Sequence, residues 1–191
     1  MKRNTLLNLA LVTGRLLIIF NILTFLAMTC MFIHVQVSPQ SYVGSKFSVF
    51  KTDESVFRYS RTEKWADAIS IDANSISVNQ LTTASLYFNY FQIAAILIFT
   101  FMIIRAFLSV ICSVQFTETF RSSNARVFRK MGMWLLFIFF LSAFSFVSTD
   151  SMIQYTFYLR ITPLILMLLA YIMAEVFKEG SELSEESQLT I

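Results

Sequence analysis

The chain has 191 residues, 56% of them hydrophobic and 14% charged, with a net charge of +3 and a mean hydropathy of +0.64. Ordinary soluble domains hold roughly 45 to 50% apolar residues, so this composition excludes a typical water-soluble globule and calls for a lipid bilayer. The positive charge is small and scattered, which excludes direct nucleic-acid binding through a basic face.

Lys2 and Arg3 precede a first apolar stretch, and after Gly14 and Arg15 the residues 16–37 run without a formally charged side chain. At ~1.5 Å per residue they cover a hydrocarbon core of ~30 Å, which makes 16–37 the first predicted span. A secretory signal is the rival reading. Its apolar core, however, is about 7 to 15 residues and ends in a small-residue cleavage site, which Val35-Gln36-Val37-Ser38 does not supply. The residues before Arg15 extend this helix at the interface or into the cytosol, and their positive charge places the N-terminus inside.

Residues 38–85 change character, with Pro39, Gly44, five basic and five acidic residues. Alternation at Lys46-Phe47-Ser48-Val49-Phe50-Lys51, Ile69-Ser70-Ile71-Asp72 and Ile76-Ser77-Val78 suits half-buried strands. The expectation is a small β-rich cap over 38–85 on the outer face, where no basic excess is required.

A second apolar run starts near Leu86 and reaches Phe116, broken only by Arg105. A helix of that length overshoots the bilayer, so the span is set at 86–105, with Arg105 snorkelling at the inner interface. The cytosolic linker 106–130 begins as a continuation of this helix. It ends in a basic connector carrying Arg121, Arg126, Arg129 and Lys130, whose charge fits the cytoplasmic side. The third span is 131–148, rich in phenylalanine, followed by a short outer turn over 149–160. Pro163 sits where the first turn of a helix tolerates it, and 161–177 is the fourth span. An even count of spans returns the C-terminus to the inside.

The tail, 178–191, holds four glutamates against Lys178, with Gly180 as a helix terminator. Its net charge opposes that of the segment from Thr117 to Lys130, so the tail is expected to fold back on the linker, gripping through Leu183, Leu189 and Ile191. Taken together, the sequence predicts a single integral membrane domain. It is an all-α membrane protein with four transmembrane helices, a small β-rich extracytoplasmic insertion between helices one and two, and both termini in the cytoplasm.

Two stretches carry a resemblance. Phe116-Thr117 with Asn124, Arg129 and Gly132 forms the first. The ending Glu175-Val176-Phe177-Lys178-Glu179-Gly180, followed by Leu183, Glu186 and Leu189-Thr190-Ile191, forms the second. They resemble the signature stretches of a bacterial membrane family known as domain of unknown function 2975. The resemblance covers the four-span layout, and the chain departs from the usual ending at Ser187 and Gln188. It implies a four-helix membrane protein whose gene neighbours a small helix-turn-helix regulator, and hence such a cytosolic regulator as a partner.

Little in the residues suggests catalysis. Cys30 and Cys112 are expected on opposite sides of the membrane, beyond the ~7 Å reach of a disulfide. His34 has no second ligand spaced to join it at a metal, and no cofactor is expected. Glu175 is the ionisable group that stands out in a span, and an inner-face ion pair with Arg105 or Arg15 is the expectation. Asn21, Asn89 and Gln92 are read as hydrogen bonds between helices. The functional expectation is a sensing, scaffolding or regulator-tethering protein that acts through its linker and tail. The alternative is a small transporter or channel.

Overall fold

A computed structural model of the chain describes residues 3–42, 55–64, 78–115 and 122–189. Among these residues it forms four α-helices and one three-stranded sheet. In chain order they are α1 (Arg3–Val37), β1 (Ser55–Lys64), α2 (Thr83–Gln115), α3 (Ser122–Ala143), β2 (Phe144–Ser148), β3 (Met152–Arg160) and α4 (Ile161–Leu189). Short 3₁₀ turns at Pro39–Tyr42 and Val78–Gln80 stand before β1 and α2. Three helical stretches are long and apolar enough to cross a membrane: Thr5–Val37, Thr83–Gln115 and Ile161–Glu186.

The run expected as a third span, 131–148, is not one helix. It stays helical to Ala143 and then becomes β2 without an intervening turn. The cause is local. Phe144-Ser145-Phe146 alternates bulky with small polar residues, and Val147 is β-branched, a combination that suits a strand better than a helix. The predicted outer turn, 149–160, is likewise mostly β3, the partner of β2 in a tight hairpin. The sheet has the order β1-β3-β2, all antiparallel. Among the described residues the one strand within 38–85 is therefore β1, whose partner comes from between α3 and α4 rather than from the cap, and Leu81 adds an isolated bridge to Thr149. The strand patches at 46–51, 69–72 and 76–77 lie outside the described residues, and Val78 sits in a 3₁₀ turn.

The tail also differs from expectation. Instead of stopping at Gly180 and folding back, it continues α4 to Leu189. A lone helical glycine costs only about 1 kcal/mol relative to alanine, and the surrounding residues favour the helix. Lys178 lies 3.2 Å from Glu175 and 3.8 Å from Glu182 along the same helix, and Ser181 Oγ donates to the Lys178 carbonyl at 2.8 Å.

The chain divides into two compact units. Unit one is Met1–Leu23, Leu97–Ile138 and Thr162–Ile191, and unit two is Thr24–Ile96 and Phe139–Ile161. Unit one is packed helix against helix. Its core is Val110, Ala125, Phe128, Met131, Ala174 and Phe177, with Phe128 stacked on Phe177 at 5.2 Å and Phe99 on Phe137 at 5.4 Å between ring centroids. Small residues let backbones approach. A Cβ on Gly132 would stand 3.0 Å from the Tyr171 ring, and one on Gly14 would collide with the Leu108 side chain. Close contacts at small residues are the usual means by which helices associate in lipid, where no hydrophobic drive separates protein from solvent.

Unit two packs one face of the sheet. Along β3, Met152, Thr156 and Tyr158 are buried, while Tyr155 and Phe157 on the other face are exposed. Met152 packs with Leu81, Leu86 and Val147. At the end of α1, His34 Nδ1 and the Tyr42 hydroxyl are hydrogen-bonded at 2.9 Å.

Candidate functional site

The charged residues predicted to act together come together only in part. Glu175 on α4 pairs with Arg129 on α3 at 3.3 Å and with Lys178 at 3.2 Å, in place of the expected Arg105 or Arg15. Arg15 and Arg105 are both exposed. The reason is helical phase. Arg129 and Glu175 lie beside the stacked Phe128 and Phe177, so the core contact that joins α3 to α4 also brings these two side chains into range. Each partner of the pair is half exposed, and ion pairs in such settings hold elements in register while adding little stability.

The remaining predicted residues divide by role. Asn124 is buried and donates from Nδ2 to Ser113 Oγ at 3.1 Å, tying the start of α3 to the end of α2. Gly132 is the close-approach point on Tyr171, and Phe177 is core. Gly180 is an ordinary helical position. Leu183 is 67% exposed, and Glu186 is exposed with it. Leu189 ends the helix. Phe116, Thr117, Thr190 and Ile191 lie outside the described residues. What stands at this end is a two-helix surface. Arg126, Arg129 and Lys130 are exposed on α3, and Glu179, Glu182 and Leu183 are exposed on α4.

A second constellation is only half visible in the sequence. Ending α3 at Ala143 and starting β2 at once frees the last carbonyls of the helix, and β2 also has an edge facing away from β3. Both sets of acceptors are met by the start of α2. Gln92 Nε2 donates to the carbonyls of Leu141 and Phe144. Asn89 Nδ2 donates to the Phe146 carbonyl at 2.9 Å, and Ser85 Oγ donates to the same carbonyl at 3.3 Å. The Thr82 amide donates to the Ser148 carbonyl at 2.9 Å. Positions 82, 85, 89 and 92 step by three or four residues, ~4.5–6 Å of helix rise, while the carbonyls of Phe144, Phe146 and Ser148 stand ~6.6–6.8 Å apart. One helix stripe can therefore serve one strand edge. The sequence assigns Asn89 and Gln92 to bonds with other helices; Gln92 does bond α3, at the Leu141 carbonyl, as well as Phe144 of β2, whereas Asn89 bonds the main chain of β2 instead. Ser85, Asn89 and Gln92 are all buried, and the amide oxygens of Asn89 and Gln92 have no hydrogen-bond partner among the described residues.

Unit one also contains an apolar cleft of about 570 Å³, lined on its four helices by residues that include Gly14, Phe107, Met131, Leu169 and Met173, with Thr13 the one polar residue of the lining. The two cysteines are free. Among the described residues no group of three or more His, Cys, Asp or Glu side chains is placed to hold a metal ion.

In comparisons with known proteins, no family model, no curated protein and no solved structure matches the chain.

Proposed function

We propose that the chain is a multi-pass protein of the cell membrane that tethers a cytosolic partner through the α3–α4 surface. In this reading α3 is the third crossing in chain order, completed by β2, and both termini lie in the cytoplasm. The basic side chains of α3 meet the inner face, as the positive-inside bias requires. The observation that carries the reading is the continuation of α4 for roughly 18 Å beyond Phe177. Phe177 and Ser181 turn one side of this extension into the protein, and Leu183 stands 67% exposed on the other among Glu179, Glu182 and Glu186. An apolar side chain ringed by carboxylates on a rigid helix is a surface a basic partner can read. The resemblance to domain of unknown function 2975 supports a small helix-turn-helix regulator as that partner, with no catalysis assigned to the chain itself. The test is a photo-crosslinking amino acid at Leu183 in native membranes. The expected product is a cytosolic helix-turn-helix protein, lost when Glu182 and Glu186 are changed to lysine; recovery of lipid and copies of the chain alone overturns the reading.

The cleft of unit one favours a second reading, a small transporter. Its lining is apolar apart from Thr13, so it suits a lipophilic solute rather than an ion, and flux of such a solute in proteoliposomes tests it.

A further inference from the structure

β2 and β3 present one aromatic face. In the antiparallel register Phe144 is opposite Phe157, which is opposite Tyr59, and Phe146 is opposite Tyr155, which is opposite Arg61. Side chains alternate across a strand, so these two rows share a face, while Ser145, Thr156 and Ser60 line the other. The aromatic face is uncovered: Tyr59 is 59% exposed, and Phe144, Tyr155 and Phe157 are each about 40% exposed. A contiguous apolar patch of this kind on a folded protein marks a contact surface.

Three observations say what the contact is. First, α3 is too short to cross alone. Its apolar part, 131–143, rises only ~20 Å against a hydrocarbon core of ~30 Å. β2 follows α3 directly, and α4 follows β3 directly, so the base of the hairpin begins at membrane depth. Second, the aromatic face is continuous with the apolar surface of α2. Phe88 meets Phe144 at 6.0 Å and Phe146 at 5.7 Å, and Tyr155 meets the same two rings at 6.2 and 5.4 Å. Third, the aromatic face carries no net charge: Arg61 is paired with Glu63 at 2.7 Å, while Arg58, Lys64 and Arg160 alternate onto the other face, and aromatic rings with a neutral polar rim suit the headgroup level. The carbonyls on the outer edge of β2, which would be costly to leave unpaired in an apolar surrounding, are occupied by the stripe at the start of α2.

We infer that the aromatic face of the sheet lies in the headgroup and upper acyl region of the bilayer, as a built-in aromatic belt, with phospholipid as its partner. The inference rests on the membrane-spanning helices and is independent of the tethering proposal.

The test is site-directed spin labelling in vesicles of phosphatidylcholine and phosphatidylglycerol, with Cys30→Ser and Cys112→Ser removing the native thiols. Labels are placed at Tyr59→Cys and Phe157→Cys on the aromatic face, at Thr62→Cys and Lys64→Cys as exposed sheet controls, and at Phe20→Cys on α1 as a lipid reference. The ratio of oxygen to water-soluble nickel accessibility is expected to be several-fold higher at 59 and 157 than at 62 and 64, and to approach the value at 20. Equal ratios at 59, 157, 62 and 64 overturn the inference, because the face then lies in water. Low accessibility to both reagents at 59 and 157 also overturns it, because protein then covers the face. A label at Phe20 that reads water defeats the membrane reading itself.

Discussion

Unit one buries Val110, Phe128, Met131 and Ala174 where helices meet helices, whereas unit two buries Ser85, Asn89, Gln92 and Thr156 where a helix meets a sheet. The difference follows from where the backbone hydrogen bonds go. An α-helix satisfies its own amides and carbonyls, so helices can meet through side-chain shape alone, with glycine and alanine at the closest points. A short sheet leaves an edge, and a helix that ends abruptly leaves carbonyls; in an apolar surrounding both must find donors from side chains. The buried polar residues at the start of α2 therefore mark the place where the main chain of α3 and β2 breaks its regular pattern.

Substitutions can break this contrast. The largest effect is expected in unit one from Phe128→Ala, which opens a cavity against Phe177 and Met131. Truncations of this type cost about 3–5 kcal/mol, read as a lowered midpoint of unfolding in mixed detergent micelles. The same truncation at Phe157, on the exposed sheet face, should move the midpoint far less; equal effects would mean that the two units do not differ as described.

In unit two the sensitive atom is a donor rather than a volume. Asn89→Leu keeps the size of the side chain and removes the amide, which leaves the Phe146 carbonyl with Ser85 Oγ alone. A loss of about 1–3 kcal/mol is expected, together with faster proteolysis between residues 144 and 160. If Asn89→Leu matches the parent in both measurements, the stripe on α2 is not what holds the edge of β2.

The smallest effect is expected at the ion pairs. Glu175→Gln removes the partner of Arg129 and Lys178, but these side chains are half exposed, and the unfolding midpoint should not move measurably. A clear loss of fold or abundance would show that the pair between α3 and α4 carries more than registration.

Several features can be read directly along the chain. The three longest helices follow from runs of apolar residues that only lipid or a deep core accommodates. The placement of α2 through Arg105 to Gln115 follows from helical spacing at Phe107, Val110, Ile111 and Val114. The switch at Ala143 is harder to see. Leu135, Leu136, Phe137 and the residues up to Leu141 form one greasy run that Phe144 and Phe146 prolong, and apolarity by itself does not distinguish helix from strand. The tail misleads in the opposite direction. Gly180 is a common terminator, yet glutamate and lysine at helical spacing outweigh it.

The sequence by itself determined the membrane-compatible helices, the polar positions on α2 and the charges at the ends of α3 and α4, because composition and periodicity depend only on neighbours along the chain. Only the tertiary structure decided that Glu175 meets Arg129, that β1 pairs with β3 across two intervening helices, and that Ser85, Asn89 and Gln92 serve the edge of β2. Those pairings are set by which faces of distant elements come into register, and no local pattern carries that information.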